Sequence, residues 1–283
     1  MKALLRPNFD KDGSVAGARL TVEALLETGI TPLLDRADAA VISPVNEGCL
    51  IGEFGEMLSD CDIVITIGGD GTILHAVQAI LGRKKPLLGI NTGRIGFLTQ
   101  LEISELGHFS RLKEGNYEIL NRMLLKGTLD REDDCFFALN DIVIFRGGDH
   151  LIEIEVHCDT GPVASHRADG VIFSTPTGST AYSLSAGGSI VHPSLELIQM
   201  TAVCPHSHFN HSAILSPERT YRAKEAAGSL RGGAVIMVDG MRAGVLERDK
   251  SLTIAKAPQS IQFIDLGIRD FYNCVDIKLS YRR

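Results

Sequence analysis

Residues 62–67, DIVITI, form an unbroken apolar run, and GGDGT follows at 68–72 before Ile73, Leu74, Val77 and Ile80 resume with helical spacing. A strand that is apolar on both faces must be covered on both faces, which is the situation of a central strand in a parallel sheet flanked by helices. The run therefore predicts a strand, a glycine loop and a helix within an open α/β sheet. Neighbouring segments agree. KALL at 2–5 and TPLL at 31–34 read as strands, and Ala18, Val22, Leu25 and Leu26 mark one side of a helix over 16–27 that Gly29 ends. Residues 50–59 read as a short helix, 72–81 as the helix after the glycine loop, and PLLGI at 86–90 as a returning strand.

The pattern changes further along. From about residue 118 short alternating segments dominate, among them CFFALNDIVIFRG, LIEIEVHC, GAVIMVDGM and SLTIAKA, which fit antiparallel strands. Only 179–187 carry a helical-turn pattern. The closing DFYNCVDIKLSYRR can be a helix packed on the first domain, against which stand its β-branched Val275 and Ile277. The expected organisation is an amino-terminal α/β domain with an open parallel sheet over 1–100, joined by a returning tail at 266–283, and a larger, mainly antiparallel β domain over 101–265.

Composition narrows the partners. A formal net charge of −7 across 283 residues argues against a general nucleic-acid binder. The six cysteines are scattered without a CxxC, as expected of reduced thiols in a cytoplasmic protein. No apolar stretch is long enough for a membrane span, and the amino terminus has no signal-peptide core, so no membrane partner is expected.

The glycine loop carries the chemistry. A parallel strand ending in GGDGT aims backbone N–H groups and a helix's positive end at the sheet's carboxyl edge, where phosphates bind, so Gly68, Gly69 and Thr72 are candidate phosphate contacts. Asp70 is the odd member: it caps the helix, or it faces a hydroxyl or a cation. The loop NTGRIGFLT at 91–99 follows the next strand and brings Arg94 and Phe97 toward the same crevice. LND at 139–141 sets Asn140 beside Asp141, a pair suited to ribose hydroxyls or to an ordinary turn. The segment RADGVIFSTPTGSTAYSLSAGG at 167–188 combines Asp169, a hydroxyl-rich loop from Ser174 to Thr180, and Tyr182 beside Ser185. Small residues let a ligand lie against backbone, and Tyr182 can stack on a base or nicotinamide ring. Neither GxxxxGK[ST] nor an HRD and DFG set occurs, which excludes P-loop and protein-kinase architectures.

Together these stretches resemble the NAD kinase family: GGDGT at 68–72, TGRIGF at 92–97, LND at 139–141, the long segment at 167–188, CPHS at 204–207 and VDG at 238–240. GGDG alone is shared with phosphofructokinases and lipid kinases, whereas TPTGSTAY is specific. The resemblance implies transfer of the γ-phosphoryl group of ATP to the 2′-hydroxyl of the adenosine ribose of NAD, giving NADP, and the sequence leaves open polyphosphate in place of ATP. It implies Asp70 as general base, and Gly71, Phe97, Asn140, Asp141, Arg167, Asp169, Thr180, Ala181, Tyr182, Ser185 and Asp239 as positions lining NAD. Gly68, Gly69, Thr72 and Arg94 would meet phosphates, with Mg²⁺ or another divalent cation carried by ATP and no metal cage of the protein's own. A cytoplasmic homodimer or homotetramer is implied too. The alternatives are another GGDG-type lipid or sugar kinase, and a non-catalytic nucleotide sensor of the same fold.

Three departures from the family pattern stand out. Asp141 replaces a frequent glutamate, Arg94 a frequent histidine or other polar residue, and HFNHS follows CPHS. Cys204 with His206, His208 and His211 does not have the spacing of a standard zinc set.

Overall fold

The computed structural model describes residues 1–11, 13–93, 96–129, 134–206, 211–226 and 233–279. The chain divides into two units, Met1–Asn121 with Ile261–Arg283, and Arg122–Ser260.

The first unit alternates strand and helix: β1 (Lys2–Pro7), α1 (Ser14–Glu27), β2 (Thr31–Asp35), α2 (Arg36–Ile42), β3 (Leu50–Gly52), α3 (Phe54–Asp60), β4 (Ile63–Gly68), α4 (Asp70–Ile80) and β5 (Leu87–Asn91). Its strands form a parallel sheet in the order β5-β4-β1-β2-β3. Every residue of β4 is buried, as a strand covered on both faces requires. No side chain caps the start of α1, so its position depends on burying Ala18, Val22 and Leu25, each large apolar side chain worth roughly 1.5–3 kcal/mol. Gly29 ends this helix in the left-handed region at φ +71°, its N–H bonded to the Leu26 carbonyl at 3.0 Å.

Several boundaries differ from the sequence reading. The expected helix over 50–59 is a strand followed by a helix, because Leu50, Ile51 and Gly52 pair with Leu33, Leu34 and Asp35 of β2 before α3 begins. The short α2 was not expected. Residues 101–121 belong with the first unit: β6 (Leu101–Glu102), a 3₁₀ turn over Ile103–His108 and α5 (Phe109–Glu114) bury Leu101, Leu106, Phe109 and Leu112 in its core.

In the second unit, β7 (Glu118–Thr128, within it from Arg122) leads to β8 (Cys135–Ala138), β9 (Asp141–Arg146), β10 (Ile152–Cys158), β11 (Gly161–Ala168) and β12 (Gly170–Ser174). A 3₁₀ turn at Thr177–Thr180 and the single helical turn α6 (Tyr182–Ser185) interrupt. Then come β13 (Ile198–Val203), β14 (Ala213–Leu215), β15 (Tyr221–Glu225), β16 (Ala234–Val238), β17 (Met241–Leu246) and β18 (Ser251–Asp265). One antiparallel layer runs β14-β13-β12-β9-β16-β17. The other runs β11-β10-β15-β18, and Ile142, Ile144 and Phe173 of the first share a core with Ile154, Val156 and Ile254 of the second.

From Ile261 the chain is part of the first unit again, where Phe263 pairs in parallel with Leu87. The tail is helical, α7 (Phe271–Leu279), despite Val275 and Ile277. Asp270 accounts for this: its Oδ1 accepts the N–H groups of Tyr272 at 2.9 Å and Asn273 at 3.2 Å, an N-cap that offsets the weak propensity. Upstream, Arg269 ties the segment to the Gln100 carbonyl at 2.9 Å.

Candidate active site

In the first unit the carboxyl ends of β4 and β5 open into one cavity of about 500 Å³. Gly69 is the N-cap of α4 and Asp70 its first helical residue, yet the Asp70 side chain does not cap its own helix. Its Oδ2 accepts the Phe97 N–H at 2.9 Å and its Oδ1 the Leu98 N–H at 3.1 Å, so the carboxylate clasps the loop after β5. The capping reading is thereby corrected, since two amides from another loop hold the group that the helix start alone would have left free. A Cβ at Gly96 would overlap this carboxylate, which makes glycine a steric requirement there. Likewise a Cβ at Gly68 would overlap Thr72 Oγ1. The Thr72 hydroxyl is buried without a hydrogen-bond partner among the described residues.

Asn91 and Gly93 bond reciprocally at 3.0 and 3.2 Å, and the Thr92 N–H reaches the Gly68 carbonyl at 3.2 Å, so the two glycine loops are joined. Gly71 is exposed with open space where a Cβ would stand. Arg94 lies outside the described residues. Two cations that the sequence reading did not select line the same cavity: Lys11, from the loop after β1, and Lys278, from α7. Lys278 Nζ stands 3.9 Å from Asp70 Oδ2 and 4.4 Å from the centroid of the Phe97 ring.

The second unit gathers another group. Asp239, at φ +48°, turns its carboxylate onto three consecutive backbone N–H groups, those of Leu139 at 2.9 Å, Asn140 at 2.7 Å and Asp141 at 3.1 Å. Its own N–H returns to the Asp141 carbonyl at 3.0 Å. Burial raises the Asp239 pKa against the pull of those three amides. Asp141 is buried beside it, and burial together with the Asp239 charge pushes its pKa up to about 7.

Across from Asn140, a Cβ at Gly178 would overlap the Asn140 backbone. From Ser174 to Ser179 the hydroxyl-rich loop is inward-facing scaffold. Ser174, Thr175 and Ser179 are fully buried and donate to the carbonyls of Thr175 at 2.7 Å, Leu139 at 2.5 Å and Pro176 at 2.7 Å. Thr180 Oγ1 reaches the Thr177 carbonyl at 3.3 Å, and the Ala181 N–H the Gly178 carbonyl at 2.9 Å. What is left facing outward is Tyr182, 41% exposed, with Ser185 also exposed. The Tyr182 phenol is raised in pKa by partial burial and then by the charges of Cys204, Asp169 and Asp141. Asp169 Oδ1 is 2.7 Å from Arg146 Nε, an ion pair whose N–H is turned off line and which is therefore a charge contact more than an aligned hydrogen bond. Arg167 is exposed on β11, and its carbonyl takes the His206 N–H at 2.8 Å.

Comparison with known proteins identifies the family. Residues 52–115 match the ATP-NAD kinase N-terminal domain and residues 139–266 the ATP-NAD kinase C-terminal domain. The NAD kinase of Caldanaerobacter subterraneus subsp. tengcongensis is 35% identical over 281 residues, 98% of each chain. The chain belongs to the NAD kinase family. The NAD kinase of Moorella thermoacetica is 38% identical over 222 residues, 76% of this chain and 70% of its own. Among solved structures, yeast NADH kinase complexed with NADH has a TM-score of 0.89 at 26% identity, covering 100% of this chain and 88% of its own. An NAD kinase from Archaeoglobus fulgidus in complex with ATP has a TM-score of 0.74 at 25% identity, covering 98% of each.

In this NAD kinase-family chain, Lys11 had a usable signal: β1 neighbours β4, so the loops after both strands open at one sheet edge. Lys278 and Arg146 had none, since only the fold brings them to Asp70 and Asp169. His208 lies outside the described residues, and among those described no group of three or more His, Cys, Asp or Glu is placed to hold a metal.

Proposed function

We infer that this protein is an NAD kinase, transferring the γ-phosphoryl group of ATP to the 2′-hydroxyl of the adenosine ribose of NAD to give NADP. The observation that carries the reading is the Asp70 carboxylate, held by the Phe97 and Leu98 amides inside a cavity walled by glycine-loop backbone. A ribose hydroxyl is a poor nucleophile at neutral pH. A fixed carboxylate orients it and accepts its proton as the new bond between O2′ and the γ-phosphorus forms. The bond from that phosphorus to the oxygen it shares with the β-phosphate breaks, and ADP leaves with the electron pair. Backbone N–H groups at Gly69 and the start of α4 meet the donor's oxyanions, with the helix dipole adding to their effect. The divalent cation enters with the donor as MgATP, neutralising phosphate charge.

On the acceptor side we assign NAD to the face that carries Asn140, Asp141, Asp169, Thr180, Ala181, Tyr182 and Ser185. Asp239 we assign to fixing the backbone of 139–141, because its carboxylate is taken up by three amides. A reducing cytoplasmic setting suits the six cysteines, all free thiols, and a homodimer or homotetramer is our reading of its assembly. The test is direct: purified protein with Mg²⁺, ATP and NAD, with NADP read by an NADP-specific dehydrogenase. NADP formation is expected. Clear NAD binding without NADP would mark a nucleotide sensor, and phosphorylation of a lipid or sugar instead would mark the other GGDG chemistry.

A further inference from the structure

We propose that Lys278, delivered by the carboxy-terminal helix, acts with Lys11 as a two-ammonium clamp on the phosphate chain of the donor. The proposal rests on the phosphotransferase reading above.

The cavity at the ends of β4 and β5 is walled mainly by neutral groups, among them Gly69, Asn91, Thr92 and Gly93. Its one described carboxylate, Asp70, is occupied by two amides. The described cations in its wall are Lys11 and Lys278. Backbone N–H groups alone leave much of a triphosphate's charge unmatched, and two ammonium groups supply what is missing as point charges with rotatable donors.

Lys278 is placed for this without its donors being used up. At 3.9 Å from Asp70 Oδ2 its ammonium is held by charge but lies beyond direct hydrogen-bond range. At 4.4 Å from the Phe97 centroid it is held by the ring's negative face, a contact that takes no N–H. No described residue accepts a hydrogen bond from it, so among these residues its three N–H groups are not engaged. Lys11 lies against the loop after β4, where a Cβ on Gly69 would come to 3.5 Å from its Nζ. The helix that carries Lys278 is itself fixed, by the Asp270 cap, by Arg269 on the Gln100 carbonyl and by burial of Cys274. During transfer, charge grows on the oxygen leaving with ADP, and a cation fixed beside the phosphates stabilises that state more than the ground state.

The experiment compares wild type with K278M, K278Q, K278R and K11M in two measurements. In steady state, K278M and K278Q should raise KM for MgATP or lower kcat by about tenfold, with KM for NAD unchanged within about twofold. K278R should recover most of the loss and K11M should shift the same constants. Calorimetric binding of tripolyphosphate, which needs no turnover, should weaken in both neutral variants and be retained in K278R. Unchanged tripolyphosphate affinity in K278M and K278Q overturns the clamp, as does a loss confined to NAD. If wild type binds tripolyphosphate through Lys278 yet makes no NADP, the clamp stands and the NAD kinase reading falls.

Discussion

The Asp70 carboxylate bridges the backbone N–H groups of Phe97 at 2.9 Å and Leu98 at 3.1 Å, so one side chain both serves the cavity and fixes its second wall. Asp70→Asn retains one acceptor oxygen and sets an NH₂ against the other amide. Turnover should fall by about 10²–10⁴-fold, and stability by about 1–3 kcal/mol for the unsatisfied N–H. Steady-state kcat and thermal melting read the two effects separately. Wild-type turnover in this variant would remove Asp70 from the role of base.

Gly96, in the cavity wall, and Gly71, the exposed residue after Asp70, should respond in opposite ways. Gly96→Ala drives a methyl group into the Asp70 carboxylate and should reduce both Tm and kcat. Gly71→Ala enters open space on the first turn of α4, where replacing glycine stabilises a helix by up to about 1 kcal/mol. Its Tm should hold or rise while kcat falls, because the added methyl stands where phosphates approach. Equal activity of Gly71→Ala and wild type would take Gly71 out of the site.

The pairing of Asp141 with Asp239 predicts a pH dependence of stability. Burial and the Asp239 charge raise Asp141 from 3.8 to about 7, so between these values the folded state binds more protons than the unfolded chain. The stability Asp141 contributes is therefore complete below about pH 4 and lost as pH rises through about 7. Asp141→Asn, which cannot ionise, should show a flatter fall in Tm from pH 5 to 8. A slope equal to that of wild type would show that Asp141 titrates normally.

Tyr182 is exposed enough that truncation should leave stability within about 0.5 kcal/mol. Tyr182→Ala should therefore act on KM for NAD with Tm unchanged, and an unaltered KM would exclude the ring from the dinucleotide contact.

Much of the first unit was legible because its strands are apolar throughout and its helices amphipathic: β4 and α4 lie close to where DIVITI and the Ile73, Leu74, Val77 and Ile80 pattern put them. The segment after residue 100 was not, since a 3₁₀ turn and a helix of six residues are too short to establish a period. In the site, Asp70 and Phe97 were legible as neighbours through the rule that adjacent strands open at one edge. The bond between them was not, because it joins a side chain to a backbone amide, and any residue supplies an amide. Lys278 and the three-amide hold of Asp239 were invisible for the related reason that each depends on approach between segments far apart in sequence.

The buried hydroxyls of Ser174, Thr175 and Ser179 bear on how mutational data from this protein should be read. A saturation screen scored only by NADP output would rank these positions alongside Tyr182 and outline a ligand footprint wider than the real one. Scoring the same library for cellular abundance would separate the two sets, because losses at the serines and threonine should follow protein level, whereas losses at Tyr182 should not.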